Sequence, residues 1–132
     1  MSTRFVFAVF LGLSVILSQS ACKKDDLNEI TINIIKPTAN QTVANKAAVE
    51  IQVEVEASVE NHEVEVVVYR HGNEANPVFD WDQHAHDKKI TLTETIDLSS
   101  FATGTEFHLK VIACKDEDCT EEVKKEITFK IP

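Results

Sequence analysis

From Ile30 to the C-terminus, apolar and polar residues alternate with a period of two. Ile30, Ile32 and Ile34 alternate with Thr31 and Asn33 until Pro37 ends the run. Val49, Ile51, Val53 and Val55 are interleaved with Glu50, Gln52, Glu54 and Glu56. Val64, Val66 and Val68 follow, then Val78, Phe79 and Trp81 after the turn sequence HGNEANP. Ile90, Leu92, Ile96 and Leu98 share one parity, as do Phe107, Leu109, Val111 and Ala113. Val123, Ile127, Phe129 and Ile131 close the chain. Successive side chains of a strand point to opposite faces, so each run predicts a strand with one buried and one solvated face. The pattern predicts an all-β domain of about seven antiparallel strands. A single sheet would leave these apolar faces wet, whereas two stacked sheets bury them, so the expected architecture is a β-sandwich. No helical period, internal repeat or second domain interrupts it.

The N-terminus breaks the pattern. FVFAVFLGLSVIL, residues 5–17, is continuously nonpolar apart from one serine and follows the lone basic residue Arg4. It is too short to span a bilayer comfortably and suits the core of a signal peptide. The chain divides into a signal peptide at 1–21, a modified cysteine and tether at 22–28, and the β-sandwich at 29–132.

Cys22 sits in SQSACKKDD, and small residues stand directly before it. This stretch resembles bacterial lipoprotein signals, although Gln19 occupies a position where an aliphatic residue is usual. The lysines and aspartates after the cysteine resemble the start of surface lipoproteins of the Bacteroidota. The resemblance implies a lipidated Cys22 and a protein anchored in the outer membrane and exposed at the cell surface. Cysteine arithmetic agrees. Cys114 and Cys119 are separated only by KDED and can close a small loop, leaving Cys22 as the odd one. INIIKPTANQTVANKAAVEIQVEV and DLSSFATGTEFHLKVIAC resemble strands of bacterial immunoglobulin-like domains, which implies an immunoglobulin-like sandwich. Two features of antibody-type domains are missing: an inter-sheet cysteine pair and a tryptophan on the third strand.

Charge narrows the partners. The chain has 13 basic and 22 acidic residues and a formal net charge of −9. Such a surface repels nucleic-acid phosphates. The partners expected are the membrane, through the lipid anchor, and an envelope protein or glycan.

Three constellations could carry function. In FDWDQHAHD, Asp82, His84 and His86 fall on one strand parity, and two histidines at this spacing can share zinc or copper. The same residues also fit a solvated edge strand, the plainer reading. CKDEDCTEE reads as a disulfide-closed hairpin tip whose carboxylates are solvated or hold calcium, although the spacing of a specific calcium loop is absent. Val67 and Tyr69 are apolar where the third strand should present polar residues. With Ile112 they form a partner surface if exposed, or lie under a loop if not. No catalytic constellation emerges: only Gly72 and Gly104 follow the signal region, and the serines lack a nucleophile-elbow context. The expected function is a non-catalytic, lipid-anchored binding or accessory module, with a metal-binding lipoprotein as the alternative.

Overall fold

The computed structural model describes residues 27–132; the segment read as a signal peptide and Cys22 lie outside them. Eight strands follow in order: β1 (Ile30–Lys36), β2 (Gln41–Thr42), β3 (Val49–Ala57), β4 (Glu63–Arg70), β5 (Phe79–His84), β6 (Lys89–Ile96), β7 (Glu106–Cys114) and β8 (Glu122–Lys130). They form two sheets. One has the order β1-β3-β6, the other β2-β8-β7-β4-β5. All pairings are antiparallel except the short β2–β8 pair. The chain is therefore all-β with two sheets, as a sandwich requires. No helix among the described residues is long and apolar enough to cross a membrane.

The one strand the alternation did not announce is β2. After Pro37 the chain leaves the first sheet and crosses to the second. There the Asn40 amide donates to the Thr128 carbonyl at 2.7 Å, with Asn40 at a φ of 62°. Asparagine tolerates this left-handed conformation better than most residues. Two residues of pairing are too few for any period to register.

Between the sheets lie the parities read from the sequence. Ile51, Val66, Val68, Phe107, Leu109, Val111 and Phe129 have no exposed surface. Phe107 stacks on Phe129 with centroids 5.6 Å apart, and Phe101 meets Phe107 edge-on at 5.1 Å. On the outside of β3, Lys89 of β6 bridges Glu54 and Glu56, and Lys36 pairs with Glu50.

The topology sorts the loops into two ends. The start of β1 and the β3–β4, β5–β6 and β7–β8 connections share one end. The β1–β3, β4–β5 and β6–β7 connections and the C-terminus share the other.

Candidate functional site

The β3–β4 and β5–β6 loops are stitched together. Ala57 donates its amide to Lys88 O at 2.8 Å, and Ala85 donates to His62 O at 3.0 Å. Asn61, fully buried, donates to Asp87 O from its backbone at 3.0 Å and from Nδ2 at 2.8 Å. Asn28, just before β1, adds the N-terminal segment. Its Nδ2 donates to Glu60 O at 2.6 Å and Lys115 O at 3.1 Å, while its Oδ1 accepts from the Val59 amide.

This framework brings Glu60, His62 and His86 together. One donor atom from each lies within 4.8 Å of the other two. His86 Nδ1 is 3.5 Å from Glu60 Oε2, and His62 Nε2 is 3.9 Å from Glu60 Oε1. The His62 and His86 rings are nearly perpendicular, with centroids 5.5 Å apart. His62 is largely enclosed, and its Nδ1 is buried without a hydrogen-bond partner among the described residues. The ring turns its other nitrogen, Nε2, toward Glu60. Two imidazoles and a carboxylate form a borderline donor set that suits zinc or copper rather than calcium or magnesium. Three protein donors at a partly exposed site leave room for a fourth ligand.

The sequence-predicted residues divide. His86 joins the cluster. His84 stands beside it, edge-on to the His86 ring at 5.1 Å, outside the converging donors. Asp82 does not join. It lies on the outer face of β5 opposite Glu65, because β5 ends at His84 and the chain then turns toward His62. The sequence does not place Glu60 and His62, because they precede β4 and only the loop-to-loop hydrogen bonds bring them to His86. The β4–β5 register, Glu63 opposite His84, was the usable signal.

Cys114 and Cys119 are joined by a disulfide at the same end of the sandwich. The acidic tip it closes is engaged internally. Hydrogen bonds from the Thr120 hydroxyl and amide, with a smaller contribution from the Glu121 amide, hold the Asp116 carboxyl below its usual range. Glu121 pairs with Lys115 and Glu122 with Lys124. These carboxylates do not converge as a calcium site would require.

Val67 and Tyr69 lie on the outer face of the five-stranded sheet yet are only 7% and 6% exposed. Tyr69 stacks on His108 with centroids 5.0 Å apart and planes within 8°, and Lys110 reaches over its ring at 5.7 Å. Lys110 in turn pairs with Glu74 from the β4–β5 loop, which folds back across this face. Burial, with a hydrogen bond to Glu126 and the charges of Glu126 and Glu74, pushes the Tyr69 hydroxyl up to about 12. Ile112 is half-buried between Glu65 and Lys124. Of the two readings open for this face, Val67 and Tyr69 fit the covered one, while Ile112 keeps some exposure.

No family model and no curated protein matches the chain. The functional reading therefore has to come from the side chains themselves.

Proposed function

We propose that this chain is a lipid-anchored, non-catalytic β-sandwich protein of the outer membrane that holds a divalent transition-metal ion between Glu60, His62 and His86. The observation that carries this reading is the convergence of the three donors on a hydrogen-bonded frame. The ligand set replaces the one suggested by the His-x-His spacing: His86 is kept, and Glu60 and His62 supply the rest. Strand order also supports an immunoglobulin-like topology. β1, β3 and β6 face β8, β7, β4 and β5, as strands A, B and E face G, F, C and C′ in such domains.

The anchor and the site belong to the same end. Asn28 binds the loop that carries Glu60, and five residues separate it from Cys22. Fully extended, that tether spans at most roughly 20 Å. A lipidated Cys22 would therefore keep the metal site close to the membrane surface. An envelope protein or glycan would meet the loops of the opposite end first.

Zinc titration of the metal-stripped protein tests the site. His62→Ala with His86→Ala should remove one bound ion while the fold, followed by circular dichroism, persists. Uptake equal to the parent's in that variant would refute the assignment.

A further inference from the structure

All five histidines of the chain are committed to two places. His62, His84 and His86 stand at the tether end. His71 and His108 meet on the outer face of the five-stranded sheet, toward the other end. We infer that this second pair, with Glu106, forms a separate divalent-metal site, one that binds zinc or copper independently of the first.

The strand period and register build it. Tyr69 and His71 share a parity at the end of β4, and Glu106 and His108 share one at the start of β7. Tyr69 pairs with His108, and the His71 amide donates to the Glu106 carbonyl at 3.0 Å. The four side chains therefore occupy a square on one sheet face. Donor atoms of His71, Glu106 and His108 all lie within 4.8 Å of one another. His71 Nδ1 is 2.8 Å from His108 Nε2 and 3.6 Å from Glu106 Oε1.

What distinguishes this place from a chance histidine contact is the support behind His108. Its Nδ1 lies 2.6 Å from Glu126 Oε1, so in the neutral ring Nδ1–H donates to the carboxylate and Nε2 presents its lone pair toward His71 and Glu106. A carboxylate that fixes the tautomer of a ligating histidine is the usual outer-shell arrangement of metal sites. Tyr69 stacks on one face of the ring, with centroids 5.0 Å apart, and His71 meets its edge through the nitrogen contact. Charge is also in place. Lys130 approaches Glu106 through Oε2, so Oε1 remains on the histidine side, and Lys110 is occupied by Glu74.

The two imidazoles share a hydrogen bond. An ion with Zn–N bonds of about 2.0–2.1 Å in a tetrahedral arrangement needs the nitrogens roughly 3.3–3.4 Å apart. His71 is 68% exposed on a turn and can supply that half-ångström movement, while His108 stays fixed. Nitrogen donors in a majority again favour zinc or copper over calcium. Six residues of strand separate Glu63, beside the first cluster, from Tyr69, so the two sites lie roughly 20 Å apart and do not share ligands.

The test uses purified, metal-stripped protein carrying His62→Ala and His86→Ala, so that failure of the first site leaves this one readable. Zinc is added while the ring nitrogens of His71 and His108 are followed by NMR. One equivalent should bind and shift both rings. His71→Ala, an exposed change that leaves the core untouched, should weaken binding at least tenfold. Glu126→Gln should weaken it by about 10–100-fold through loss of outer-shell support. Unmoved His71 and His108 signals at saturating zinc would overturn the proposal, and so would zinc affinity unchanged by His71→Ala.

Discussion

Single residues here do work that their types alone would not announce. Tyr69 is the chain's one tyrosine, so its ionisation can be read directly by ultraviolet absorbance. Its hydroxyl is pushed up to about 12 from an ordinary value near 10, first by burial and then by Glu126 and Glu74. A proton held more tightly in the folded state stabilises it fully below the unfolded value. That contribution is lost progressively as pH rises through the window from about 10 to 12. Absorbance at 295 nm should therefore titrate with a midpoint near 12 in the native protein and near 10 in denaturant. A native midpoint near 10 would show that Tyr69 is not buried beside Glu126 and Glu74 in this way. Asn61 offers a second check. Its Nδ2 donates to Asp87 O, a bond of about 1 kcal/mol, but its Oδ1 is buried without a partner among the described residues, at a comparable cost. The two terms nearly cancel in stability and do not cancel in positioning. Asn61→Ala should change unfolding free energy by no more than about 1 kcal/mol, by urea denaturation, yet weaken zinc binding about tenfold by loosening His86 from His62.

At the scale of elements, the strands were legible in the sequence and the connections were not. β3 and β7 alternate strictly because one face of each is core and the other is solvated or half-covered. A period of two records that difference directly. On β4, Val67 and Tyr69 break the alternation because Lys110 and the β4–β5 loop cover them, and no local pattern encodes a cover drawn from forty residues away. β2 is too short to read, and the convergence of Glu60, His62 and His86 depends on hydrogen bonds between two loops. Asp80 and Asp82, read as ligand candidates in the case of Asp82, lie instead along the outer face of β5, the last strand of its sheet. Charges on an edge strand discourage pairing with a second chain. The Cys114–Cys119 disulfide was legible because its loop is so short. That shortness also limits its effect. Replacing both cysteines by serine should lower stability by about 2 kcal/mol in the chain-entropy account. A loss near zero in chemical denaturation would mean that Asp116 and its three hydrogen bonds suffice to close the tip.

The whole molecule is a two-ended object. One end gathers Asn28 and the start of β1, the disulfide-closed hairpin and the Glu60–His62–His86 cluster; toward the other lie the loop that caps Tyr69 and the His71–His108 pair. If Cys22 carries the lipid, Cys22→Ala should move the protein from the membrane to the soluble fraction. Continued retention would mean that the anchor lies elsewhere. Function at this end of the sandwich turns on a metal ion held by Glu60, His62 and His86. Anomalous diffraction at the zinc edge from zinc-soaked crystals tests it most directly. A peak is expected about 2.0–2.2 Å from one nitrogen of His62, one nitrogen of His86 and a carboxylate oxygen of Glu60. Well-ordered side chains at this end with no anomalous peak between them, at zinc concentrations that saturate the protein in solution, would contradict it.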